Sequence, residues 1–236
     1  IDNFDYPVTE WDVLNEAVNH DQYMRILGKE VVTEWFQLVK NLNPSIKKYI
    51  NDYSVLTKNN VRHRKRYYRY IRNLLDSGVP IDGIGFQSHI PKGFNPTSPE
   101  EIIRIADDFS SLGPELQVTE FDFETSNQDL QARYTQDFLT AIFSHQKMTG
   151  LITWTPFEYA KNNVPKPEAA LIDKDLQFKP NGLVWYELIN KRWMTKLSGY
   201  TDGDGYLNFR GFKGRYLVSI SPVSYTHLRA HETPCH

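Results

Sequence analysis

Thiols are nearly absent from this chain: its 236 residues include one cysteine, Cys235, at the extreme C-terminus. No disulfide can form within it, so packing alone must hold the fold, and cysteine usage does not decide the compartment. Long apolar runs are missing too, and nothing approaches the roughly 20 residues that cross a bilayer. Neither sign of charge dominates, with 27 Lys and Arg against 29 Asp and Glu. That balance gives no electrostatic reason to expect nucleic acid or an anionic membrane as partner. A signal peptide and an initiating methionine are also lacking, and the chain opens abruptly just before a strand, so a missing N-terminal portion is expected. Aromatic residues are plentiful by contrast, at 14%, with 5 Trp and 14 Tyr. Such rings either fill a large core or stack on the apolar C–H faces of sugars.

Residues 8–11 read as a short strand, and Trp11-Asp12-Val13-Leu14-Asn15-Glu16 carries a carboxylate and an amide at its tip. Over 21–42, Met24, Leu27, Val31, Trp35, Leu38 and Leu42 recur at three and four, which predicts one helix with a buried stripe, stopped by Asn43-Pro44. A strand over 48–51 ends at Asp52-Tyr53. The helix over 61–75 turns Tyr67, Ile71 and Leu74 inward, and its charge run Arg62-His63-Arg64-Lys65-Arg66 reads as a solvated face. A strand over 83–87 ends at Ser88-His89, and Ser98-Pro99 caps a helix running to about residue 111. Residues 116–121 form a strand, Leu130, Tyr134, Phe138 and Ile142 mark a helix, and 150–154 is a strand. A long loop over 155–180, of a kind uncommon unless functional, precedes a last helix over 181–193.

Strands alternating with helices are the mark of a parallel sheet. Each strand ends in a chemically capable residue, namely Glu16, Asn51, His89, Glu120 and Trp154. That coincidence points to a (β/α) barrel, whose active site lies at the C-terminal ends of its strands. A complete barrel has eight strands in roughly 250 residues, so residues 1–196 are expected to be the α/β C-terminal five-eighths of one, strands four to eight with their helices. Residues 197–222 read as the start of a small β-module, a hairpin of 206–212 and 215–220 after the turn Asp202-Gly203-Asp204-Gly205. That acidic turn lacks the ligand spacing of a calcium loop and reads as a plain turn. Residues 223–236 resemble the translation of a sequencing adapter and are left out of the functional reading.

Trp-Asp-Val-Leu-Asn-Glu at 11–16, Asn-Asp-Tyr at 51–53, Gln-Ser-His at 87–89 and Thr-Glu-Phe-Asp at 119–122 resemble, in order, signatures of glycoside hydrolase family 10, mainly retaining endo-1,4-β-xylanases. The resemblance runs from about residue 8 to about 193. It implies that Glu16 is the acid/base, protonating the leaving glycosidic oxygen and then deprotonating water, and that Glu120 is the nucleophile that forms a glycosyl-enzyme. Retention implies carboxyl groups about 5–5.5 Å apart. By the same resemblance Asn15 bonds the sugar 2-hydroxyl, Gln87 and His89 line the cleft with His89 on Glu120, and Asp122 orients His89. Trp154 floors the central sugar site, and Asn51 with Tyr53 marks the leaving-group side. Xylan or xylo-oligosaccharide is the implied partner, with no cofactor and no metal. An extracellular enzyme, monomeric at full length, is the further expectation.

Two features depart from the family pattern. The loop after the last strand carries Phe157, Glu158 and Tyr159, where a second tryptophan and an aspartate are usual, and the segment with the family's first strands is absent. Made alone, the chain is expected to expose a sheet edge and to aggregate or act weakly. Competing readings are a retaining glucanase or mannanase on the same barrel, and a carbohydrate binder without turnover, which would normally have lost one glutamate. For His89 a structural histidine competes, and for Trp154 a place in the core. Trp11 and Trp35 read as core. His20, four residues after Glu16, is far short of a metal site.

Overall fold

The computed structural model describes residues 8–158 and 167–221. All strand pairing in its sheet is parallel. The strands are β1 (Glu10–Asn15), β2 (Lys47–Asp52), β3 (Gly83–Phe86), β4 (His89–Ile90), β5 (Glu115–Phe123) and β6 (Met148–Thr153). β3 and β4 both pair with β5 and form one strand interrupted at Gln87-Ser88, so the order is β1, β2, β3/β4, β5, β6. Between strands run α1 (Gln22–Leu27), α2 (Val31–Leu42), α3 (Val61–Asp76), α4 (Pro99–Ser110) and α5 (Gln128–Ser144), and α6 (Pro180–Glu187) follows β6. This is the expected partial (β/α) barrel. Among the described residues β1 and β6 are its edges, and no helix is long and apolar enough to cross a membrane.

The side-chain period of two divides each strand between helices and barrel interior. Ile50, Ile84, Phe86, Leu116 and Val118 join Phe36, Ile71, Ile105, Phe109 and Phe138 in one apolar core. The opposite face is polar. Lys47 and Tyr49 bond Glu115, Gln117 donates to Glu10, and Thr119 donates to Asn51. Gly83 and Gly85 leave room for it, since a Cβ on Gly85 would lie 2.5 Å from Asn51 Oδ1 and one on Gly83 would enter the Tyr49 ring.

Several expectations are corrected. The predicted helix over 21–42 breaks at Gly28, whose φ of 91° has left the helical region. Its stripe is shifted, because Val32 and Phe36 are buried while Leu27, Leu38 and Leu42 face solvent. The first strand lies later than 8–11, at Glu10–Asn15, and Trp11 is 41% exposed at that edge rather than core. Trp35 does pack against the core. In the charge run of α3, His63 and Arg64 are buried, so that face is not wholly solvated. The last helix continues from α6 into one wide π-type turn, Leu188–Arg192.

No strand forms among described residues 198–221, so the expected hairpin is not there. Two strands alone are marginal, and the segment instead closes the Asp202 turn and sets Phe212 edge-on against Phe143, 5.4 Å away. Tyr159 and residues 223–236 lie outside the described residues.

Candidate active site

Because the strands are parallel, their C-terminal ends lie at one end of the sheet, and irregularities of the sheet aim the side chains there. On β5 one extra residue lies between Val118 and Phe121 relative to β6, and one between Val118 and Asp122 relative to β3/β4. Such a bulge flips the alternation. Thr119 and Glu120 therefore both face the interior, Phe121 turns out to stack on Phe138 at 4.2 Å, and Asp122 turns back in toward His89. β1 carries a similar shift between Asp12 and Leu14. Just past its end, Glu16 adopts φ 57°, a left-handed conformation costly for a residue with a Cβ. Ser54 and Ser88, just past β2 and β3, share it with φ 55° and 66°.

Glu120 is held from two sides. Asn51 Nδ2 donates to Oε1 at 3.0 Å, and His89 Nε2 lies 3.1 Å from Oε2. The other ring nitrogen of His89 is 3.1 Å from Asp122 Oδ2, so the imidazole bridges two carboxylates. The Trp154 ring meets His89 edge-on at 5.7 Å and is half exposed, so it is not core.

Glu16 is reached by Gln87, whose Nε2 donates to Oε1 at 2.8 Å and contacts Asn15 Oδ1 at 3.2 Å. On the other oxygen, Oε2, His20 Nδ1 sits at 2.8 Å. Among the described residues no group of three or more His, Cys, Asp or Glu could hold a metal, and His20 serves Glu16 instead. Tyr53 is set apart from Glu16, stacked on His63 with ring centres 4.7 Å apart and 6.3 Å from His20. The predicted site residues thus form two clusters: Glu120, Asn51, His89, Asp122 and Trp154 on one side, and Glu16, Asn15 and Gln87 on the other, with Tyr53 beyond, so that Asn51, expected beside Tyr53, instead supports Glu120.

Two nearby groups escaped the sequence reading. Asp12 pairs in register with Tyr49 and meets solvent at the open edge, yet desolvation, then the charges of Glu120 and Glu10, push its carboxyl up to about 6. His63 lies behind Tyr53, 3.0 Å from the buried Asp52. The signal for His63 was present, since it precedes Tyr67 by four and Ile71 by eight on the buried face of α3.

Comparison with known proteins fits this geometry. Residues 1–196 match the family described as Glycosyl hydrolase family 10. The chain belongs to that family. Its relatives include endo-1,4-beta-xylanase A of Thermoanaerobacterium saccharolyticum, 34% identical over 188 residues (74% of this chain, 16% of the relative). Endo-1,4-beta-xylanase 1 of Arabidopsis thaliana is 25% identical over 215 residues, covering 91% of this chain and 22% of the relative. Among solved structures, an intracellular xylanase of Thermoanaerobacterium saccharolyticum superposes with TM-score 0.66 at 29% identity, over 75% of this chain and 57% of that one. A variant of that enzyme has been solved with xylotriose. The chain therefore spans about a fifth of the length of these curated family 10 relatives and 57% of the solved enzyme.

Proposed function

We propose that the protein carrying this chain is a retaining endo-1,4-β-xylanase, with Glu120 as nucleophile and Glu16 as acid/base. The observation that carries the reading is the pair of glutamates on one parallel sheet, Glu16 just past β1 and Glu120 within β5, each bonded by side chains from other strands. Glu120 accepts from Asn51 on one oxygen and faces His89 on the other, contacts that fix its direction as a nucleophile requires. Glu16 accepts from Gln87 on Oε1, so its proton, when present, belongs on Oε2. In the first step Oε2–H passes its proton to the glycosidic oxygen as the C1–O bond breaks and Glu120 bonds C1. In the second, the Glu16 carboxylate takes a proton from water, whose oxygen displaces Glu120.

Trp154 would stack under the sugar at the reacting centre and Asn15 would bond its 2-hydroxyl; Tyr53 lies on the leaving-group side. The chemistry calls for no cofactor and no metal. The reading takes xylan and xylo-oligosaccharides as substrates, in keeping with the names of the relatives, and a monomer as the working unit. Polymeric xylan cannot enter a cell, so the enzyme would act outside it, although one relative is described as intracellular.

The test is a substrate panel on the full-length protein. Release of reducing ends from xylan well above that from β-1,4-glucan and mannan, abolished by Glu120→Gln, is the expected result. Equal or greater action on glucan or mannan would overturn the xylan assignment.

A further inference from the structure

Behind the leaving-group side of the site lies a buried polar unit that the reaction as written does not use. Asp52 ends β2 and turns outward to α3, where it is fully buried 3.0 Å from His63 Nε2, itself 4% exposed. His63 Nδ1 lies 3.3 Å from Asn19 Nδ2, and the same amide nitrogen bonds the Tyr53 hydroxyl. Asn19 Oδ1 accepts from Arg66 at 2.9 Å, and Arg66 also donates to Val18 O at 2.7 Å.

These contacts admit one consistent assignment of protons. Arg66 can only donate, which fixes the Asn19 oxygen toward it and the Asn19 NH₂ toward His63 and Tyr53. His63 Nδ1 then accepts, so its proton is on Nε2, pointing at Asp52. The Tyr53 oxygen accepts from Asn19, which leaves its O–H hydrogen for another acceptor. Burial pushes the Asp52 carboxyl up, while His63 and the backbone N–H groups of Tyr53 and Val18 pull it back down.

Every arm of this unit ends on the site. Val18 and Asn19 belong to the turn that follows Glu16, held by Asn19 and His20 N–H groups bonding back to Glu16 O. Tyr53 rests its ring on His63 at an interplanar angle of 21°. A buried carboxylate–imidazole contact is a weak way to stabilise a fold compared with apolar packing of the same volume, but its hydrogen bond fixes orientation well.

We propose that His63, locked by Asp52, is a positioning residue that sets the Glu16 turn and the Tyr53 ring in register. A sugar on Tyr53 then brings its glycosidic oxygen to the proton on Glu16. This rests on the xylanase reading. Its consequence is selective: substrates that need both a leaving-group-side sugar and a proton depend on His63, and substrates that need neither do not.

The experiment compares xylopentaose with 2,4-dinitrophenyl β-xylobioside, whose leaving group needs no proton, on the full-length protein and two variants. His63→Phe keeps a ring under Tyr53 and removes both hydrogen bonds; Asn19→Ala, at an exposed position, cuts the link without threatening the core. Each is expected to lower kcat/KM on xylopentaose by about tenfold or more, since small misplacements are costly, and to change the aryl substrate by about twofold at most. Equal losses on both substrates, or no loss on xylopentaose in Asn19→Ala, would overturn the proposal. If His63→Phe does not fold, Asn19→Ala decides alone. A parent that turns over neither substrate would instead overturn the xylanase reading itself.

Discussion

Glu120 stands within the nine-residue β5, an inner strand of the sheet, with Asn51 on one carboxylate oxygen and His89 on the other. Glu16 stands just past the edge strand β1, in a left-handed backbone, and its side chain is twice as exposed, 29% against 15%. The nucleophile in a displacement must be charged and aimed within a fraction of an ångström, so a rigid seat suits it. An acid/base must change protonation state twice per turnover and release its proton to a substrate atom. A seat just past a strand end, with one oxygen fixed by Gln87 and the other beside the exposed His20 imidazole, serves that better. The difference teaches that the two carboxylates are set by different parts of the sequence: one by a strand bulge, the other by a turn.

The largest effect should come from removing each carboxylate in turn. Glu120→Ala is expected to cost about 10⁴-fold or more in kcat on every substrate, because no step proceeds without the nucleophile. Glu16→Ala is expected to cost about 10²–10⁴-fold on xylan but far less in the first step on a dinitrophenyl xyloside, with azide restoring the second. Steady-state and pre-steady-state rates on the two substrates check this, and equal losses everywhere would erase the proposed division of labour.

A smaller effect separates the supports. Asn51→Ala removes a hydrogen bond to a charged group, worth about 1.5–3 kcal/mol, and should slow both substrate types about 10- to 100-fold at the nucleophile step. Gln87→Ala leaves Glu120 untouched and should slow xylan more than the aryl substrate. The ratio of kcat/KM values on the two substrates reads the difference.

The smallest effect concerns Asp12, whose carboxyl is raised to about 6 in the fold, against an ordinary value of 3.8. A raised carboxyl binds its proton more tightly when folded, so its stabilising contribution is complete below about pH 4 and is lost as pH rises through about 6. Asp12→Asn, which cannot ionise, should therefore melt a few degrees above the parent near pH 7 and no higher than the parent at pH 4. A gain of equal size at both pH values would show that ionisation of Asp12 has no part in it.

Much of this was legible in the sequence because it rests on period and punctuation. The alternation of strands and helices, the Ser98-Pro99 helix start and the strands that carry Glu16 and Glu120 all came through, although β5 runs on past Glu120 to Phe123. Less legible was whatever depends on one residue of phase. Leu38 and Leu42 fit a helical stripe as well as Val32 and Phe36 do, and only the break at Gly28 decides which set faces the sheet. The bulge that turns both Thr119 and Glu120 inward has no local signature, since neither is Gly. His63 was hidden by its neighbours, for a histidine between two arginines reads as surface until its spacing to Tyr67 is counted. The segment 206–220 has strand-like composition but finds no strand partner among the described residues, and composition cannot supply one.

The central claim is that Glu120 bonds C1 of the sugar. Its most direct test is to incubate the full-length protein with 2,4-dinitrophenyl 2-deoxy-2-fluoro-β-xylobioside, digest it, and map the labelled peptide by mass spectrometry. The account predicts one fluoroxylobiosyl adduct per chain, on Glu120, accumulating as dinitrophenolate is released in a single burst. An adduct on Glu16, or steady turnover of the parent on xylan with inverted product and no adduct, would contradict it.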